Sequence, residues 1–193
     1  MATKDMCKYV FDYLRYVLKD LKEAPSNEKI PSDPYPLFVT FHKKDRHGEY
    51  QLRGCIGTLS RSAAPLKDGL KRFTVAAALE DPRFDPIDVL ELPKLMVDVS
   101  LLVNFHEVEN PLDWVVGKHG INIEFVAGGR RYSAVFLPCV AEEQHWDQMT
   151  TIRHLVQKAG YYGECNDELI SKMKATLFES SVEHMTYDEY CKL

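Results

Sequence analysis

No run of the chain approaches the ~18–20 apolar residues needed to cross a bilayer, so no membrane association is expected. No CxxC pair occurs among its five cysteines, Cys7, Cys55, Cys139, Cys165 and Cys191. Their odd number and wide spacing argue against a disulfide framework and a structural zinc site. The seven histidines form no HExxH or HxH cluster, so the sequence predicts no bound metal. Neither a P-loop nor a dinucleotide-binding glycine motif follows a predicted strand, and Gly128 and Gly129 do not make a phosphate loop. No cofactor is therefore expected. The first residues run straight into an amphipathic pattern without the apolar core of a signal peptide. The expectation is an intracellular protein in a reducing compartment, cytoplasmic or nuclear. A basic excess is missing as well: 29 acidic residues outnumber 24 basic ones, for a formal charge of -5, which argues against a nucleic-acid partner.

What is present suits one ordinary domain. Two independent halves of 193 residues would each be small for stable burial. Hydrophobic and charged fractions of 45% and 27% are those of a globular chain. Apolar residues from Met6 to Leu21 recur at three- and four-residue steps, predicting a helix over 4–22. Four prolines between Ala24 and Pro36 forbid regular structure and predict an extended loop. Leu37–Lys43 and Glu49–Leu59 flank the turn Asp45–Gly48 as a hairpin, and Pro65–Glu80 reads as a helix. Leu95 to Phe105 alternates as a strand with Leu95, Val97, Val99, Leu101, Val103 and Phe105 on one face. A second hairpin joins 121–126 to 130–137, and Pro138 ends it. Helices over 150–159, closed by Gly160, and 167–174, capped by Asn166, precede a strand over 176–183. Hairpins mixed with dispersed helices predict an α+β fold, an antiparallel-rich mixed sheet with flanking helices.

Three runs carry candidate chemistry. In Leu52-Arg53-Gly54-Cys55-Ile56-Gly57, strand alternation puts Arg53, Cys55 and Gly57 on one face, with Leu52 and Ile56 on the core side. A guanidinium beside Cys55 favours thiolate, and the glycine amides are candidate anion donors. The rival reading is that Cys55 packs as a small hydrophobe and the glycines let a helix sit close. In Asp81-Pro82-Arg83-Phe84-Asp85-Pro86, Asp81 follows a helix C-terminus, where the dipole disfavours a carboxylate without a specific partner. Arg53 and Arg83 are the candidate partners, either in a pre-organised pocket or in an ion pair that anchors the loop. In the run from Leu137 to Asp147, His145 is a candidate base for Cys55, against the plainer reading of an exposed loop histidine.

These runs, in this order, resemble the AMME chromosomal region gene 1 (AMMECR) domain family. The likeness rests on Leu52–Gly57, Ala76-Ala77-Ala78 leading into Asp81–Phe84, Val99–Leu102, Gly117-Lys118-His119-Gly120-Ile121, Leu137-Pro138 with Glu143 and Trp146, and Leu155 with Lys158-Ala159-Gly160. It spans roughly residues 5–190. The resemblance implies one domain with a larger and a smaller lobe, and no established activity. The family's wide distribution, including archaea and bacteria, also implies a basic intracellular role, and its linkage in some prokaryotes with a Memo-type domain and a radical-SAM-type protein implies a shared pathway. The family's motif residues carry over at Arg53, Gly54, Cys55, Gly57, Asp81, Arg83 and Phe84. The expected function is a small polar pocket around Cys55 and Arg83. Arg53, Gly54, Gly57, Asp81, Arg83 and Phe84 would hold a small anionic ligand, and any thiol chemistry would run through Cys55 with His145 as base. The rival is a non-enzymatic regulatory module with a protein partner.

Overall fold

The computed structural model describes residues 1–26, 28–60 and 64–193. In chain order the elements are helix α1 (Lys4–Val17), strands β1 (Leu37–Lys44) and β2 (Tyr50–Thr58), and helix α2 (Leu66–Leu79). A 3-10 helix (Val89–Lys94) and strands β3 (Leu95–Val108), β4 (Gly120–Ala127) and β5 (Arg130–Phe136) follow. Helices α3 (Pro138–Glu143), α4 (Gln148–Lys158) and α5 (Asp167–Ser171), strand β6 (Lys174–Thr186) and helix α6 (Tyr187–Tyr190) complete the chain. The strand order is β2-β1-β3-β6-β4-β5, and the pairs β1–β2, β1–β3, β4–β5 and β4–β6 are antiparallel. This is the α+β class the sequence predicts. The chain divides into a larger compact unit, residues 1–102 and 181–193, and a smaller one, residues 103–180. Among the described residues no helix is long and apolar enough to cross a membrane.

The larger unit is built on the alternation of β1 and β3. Leu37, Val39 and Phe41 pair across from Leu101, Val99 and Val97, and all six are fully buried. Leu66, Leu70 and Phe73 bury one face of α2, and Met6, Val10, Phe11 and Leu14 bury one face of α1. Cys7 is fully enclosed among them. Burial pushes its thiol up to about 12, so it packs as a hydrophobe. The smaller unit has its own core, in which Ile121, Ile123, Phe125, Ala175 and Leu177 meet Ile152, Leu155 and Val156 of α4.

Three expectations need correction. Helix α1 ends at Val17, not at residue 22, because Lys19 turns into the left-handed region (φ 62) and the Asp20 and Leu21 amides fold back onto the Arg15 carbonyl. In β3 the shared face stops at Leu101: Leu102 is buried too, and Asn104 takes a left-handed φ of 56, which breaks the two-residue period. Pro138 ends β5 as expected but also opens α3, its fixed φ suiting a first helical turn. Helix α5 stops at Ser171 because the chain is extended again from Lys174, where β6 runs on to Thr186. Among its described residues the proline-rich loop contains no helix or strand beyond a Pro34–Pro65 bridge; Asn27, inside it, lies outside the described residues.

Candidate functional site

The site of the larger unit grows from a fault in one ladder. Phe41 pairs with Gly54, but His42 pairs with Leu52, so Arg53 is an extra residue in β2. Such a bulge re-aims its side chain and shifts the alternation beyond it. Leu52 is therefore 42% exposed, correcting the expectation that it shares the core side with Ile56. Arg53 turns onto Glu91, to which its Nε and Nη2 donate at 3.0 and 3.0 Å. It also donates to the Asp85 carbonyl at 2.8 Å and the Pro86 carbonyl at 3.4 Å. Most of its donors are thereby committed inside the protein. Glu91 also receives Lys43 at 2.7 Å and the Asp88 amide at 3.0 Å. Burial alone would raise the Glu91 carboxyl, but Arg53 and Lys43 bring it down to about 2.

Two residues on, a side-chain pair stands in for a neighbouring strand. Strand β2 is the first in the order, so its outward backbone groups have no strand to meet. Asp81 Oδ2 instead accepts the Cys55 amide at 2.9 Å, and Arg83 Nη2 donates to the Cys55 carbonyl at 3.2 Å. The two side chains lock each other: Arg83 Nε donates to Asp81 Oδ1 at 2.9 Å, and Nη2 to Oδ2 at 2.7 Å. Asp81 is only 4% exposed, whereas the Arg83 side chain is 52% exposed. The arginine contacts, helped by the Cys55 amide, hold the Asp81 carboxyl well below the usual carboxylate range. The same pairing raises Arg83. Thus Asp81 finds the partner that its place after α2 demands, and that partner is Arg83 and not Arg53.

The remaining predicted residues separate. Cys55 is half-buried and faces Thr40, whose hydroxyl donates to Sγ at 3.1 Å. Phe84 lies under both guanidinium groups, with centroid distances of 5.4 Å to Arg83 and 6.0 Å to Arg53. Gly54 faces the other way: a Cβ there would lie 2.0 Å from the Ala77 carbonyl oxygen of α2. At Gly57 a Cβ would lie 2.2 Å from the Leu37 carbonyl oxygen. His145 belongs to the smaller unit, exposed on the turn after α3 with a left-handed φ of 57 and its amide on the Glu142 carbonyl. Arg53, Arg83, Phe84 and Glu91 line an open depression of about 610 Å³ together with Lys43, Pro82, Asp85 and Pro86. Sequence reasoning missed Thr40, Lys43 and Glu91. A signal existed for Glu91, which stands three residues after Asp88 as a capping box around the 3-10 helix. Among the described residues no group of His, Cys, Asp and Glu could hold a metal ion.

An antiparallel sheet whose β2 edge carries an Asp–Arg pair on the Cys55 backbone, with flanking helices, defines an α+β protein with a motif-built polar edge. The AMMECR1 family model matches residues 7–183, and the chain belongs to that family. An uncharacterized protein of Schizosaccharomyces pombe is 43% identical over 191 residues, covering 98% of this chain and 96% of its own. One from Arabidopsis thaliana is 39% identical over 196 residues, covering 98% and 87%. The crystal structure of an uncharacterized protein from Pyrococcus horikoshii superposes with a TM-score of 0.71 at 25% identity, covering 94% of this chain and 90% of that one.

Proposed function

We propose that the larger unit binds a small anionic group, a carboxylate or a phosphate, in the depression beside Arg83. The observation that carries this reading is the state of that guanidinium. Its Nε and Nη2 are fixed on a buried carboxylate, while among the described residues no protein group bonds its Nη1. A half-exposed, pre-oriented planar donor of this kind matches carboxylate or phosphate geometry and loses little entropy on binding. Lys43 and Arg53 add positive charge to the same depression, partly offset by Asp85 and Glu91. Binding needs no reaction, so this reading also fits a regulatory module.

The test is thermal denaturation with inorganic phosphate and a panel of small mono- and dicarboxylates. A ligand of this site at about 100 times its Kd stabilises the fold by ~2.7 kcal/mol and raises Tm. Arg83→Gln should abolish that rise. A rise that survives Arg83→Gln, or no rise with any of these anions, would count against the site.

The thiol reading rests on the Thr40 hydroxyl bonded to a half-buried Cys55. Time-resolved alkylation of the folded protein, read cysteine by cysteine, separates it from simple packing. The exposed Cys139 and Cys191 should react promptly, and Cys7 only on unfolding. Cys55 should react more slowly than the two exposed thiols. A Cys55 rate above both would favour catalysis through sulfur.

A further inference from the structure

The strands at the two ends of the order are treated differently. At β2 the strand bulges at Arg53, and the Asp81–Arg83 pair takes up the Cys55 amide and carbonyl. Strand β5, at the other end and within the smaller unit, pairs among the described residues with β4 alone. Gly128 and Gly129 form a two-residue turn with φ of 56 and 77, which makes Ala127 and Arg130 a hydrogen-bonded pair. Alternation from that pair directs the N–H and C=O of Arg131, Ser133 and Val135 away from β4. The Val135 carbonyl receives Lys158 Nζ at 2.9 Å. No such partner among the described residues meets the backbone of Arg131 or Ser133, whose side chains are exposed.

The surroundings of this edge are basic in a chain whose net charge is -5. Arg130 and Arg131 lie on the strand and Lys158 at its far end. On the adjoining sheet face, Arg131, Lys172 and Lys174 line a groove of about 560 Å³ with Glu124, Val126 and Ser133. Glu124 is the acidic residue lining the groove, and Lys172 is paired with Glu168 beside it. A second copy of this chain would bring the same positive edge against itself.

We propose that β5 is a docking edge for an extended acidic segment of another protein, which adds as a strand through the Arg131 and Ser133 backbone. Main-chain bonds supply affinity in this mode, and the flanking cations select acidic side chains. The probe is a fluorescent peptide alternating Glu with Val or Thr, followed by anisotropy, with its Glu→Lys counterpart as control. Binding should occur with the acidic peptide alone and fall at least ~10-fold in Arg131→Glu. Ser133→Pro should abolish it with little change in Tm, because proline at an outward-facing edge position gives up no ladder bond and only the exposed Ser133 hydroxyl contact to Asn122 is lost. In the wild-type protein, hydrogen exchange at the Arg131 and Ser133 amides should slow when the peptide is added, a readout independent of either variant. The proposal fails if neither peptide binds, or if exchange at those amides does not change. It also fails if Ser133→Pro binds normally while Arg131→Glu does not, which would leave only a charged patch open to any polyanion. Self-association that occupies the edge in place of the peptide would overturn it too.

Discussion

Replacing Gly54 with alanine should cost ~3 kcal/mol or more of stability, above the usual range for an overpacked core. The new Cβ would stand 2.0 Å from the Ala77 carbonyl oxygen and 3.1 Å from its carbon. Those atoms are helix backbone, so no rotamer change relieves the clash. Helix α2 must shift as a body, and it carries Leu66, Leu70 and Phe73 into the core. Urea denaturation should show the midpoint falling by more than ~1 M with little change in slope. Gly128→Ala is the control: its φ of 56 is left-handed, but a Cβ there meets nothing within 4 Å. It should cost only about 1 kcal/mol, from backbone strain. Equal effects at the two positions would mean that α2 does not press on Gly54.

Asp81→Asn should lower stability at neutral pH by about 2–3 kcal/mol and flatten the acid limb of the stability curve. The carboxylate accepts the Cys55 amide and the Arg83 amide, Nε and Nη2, and a neutral amide cannot replace all four contacts equally. The folded chain holds Asp81 below its ordinary value of 3.8, and Glu91 falls from 4.5 to about 2. A depressed carboxyl contributes stability that is complete above its unfolded pKa and is lost as pH falls through the folded one. Wild-type stability should therefore hold above about pH 5 and decline below pH 4.5, where the unfolded chain takes up protons that the folded Glu91 and Asp81 carboxylates do not. In Asp81→Asn the decline should be shallower and stem from Glu91 and the other depressed carboxyls, Asp45, Asp147, Glu168, Glu179 and Glu189. An unchanged acid slope would show that Asp81 is not held by Arg83 in solution.

Local chemistry made much of the architecture readable. The hairpin at Gly128-Gly129 needs two left-handed residues, and the sequence places glycines at both. Asn166 caps α5 by accepting the Leu169 amide, as its position before the helix predicts. The burial of Leu95, Val97, Val99 and Leu101 follows from simple alternation. The polar motif was legible as a set of residues but not as an arrangement. Strand periodicity assigns Leu52 and Ile56 to one face, and the bulge at Arg53 undoes that, because a register slip depends on the partner strand. Asp81 advertised its need for a cation, yet which arginine answers depended on how the loop after α2 crosses β2.

The sequence by itself determined the α+β class, most helix and strand positions, and the residues of the motif, since periodicity, capping and turn chemistry act over a few neighbours. Only the tertiary structure decided what those residues do. It set Gly54 under a helix backbone, gave Arg53 to Glu91, and made Asp81 and Arg83 the cover of an open strand edge. Such pairings join groups more than twenty residues apart, where no local preference reaches and only the folded chain brings donor to acceptor.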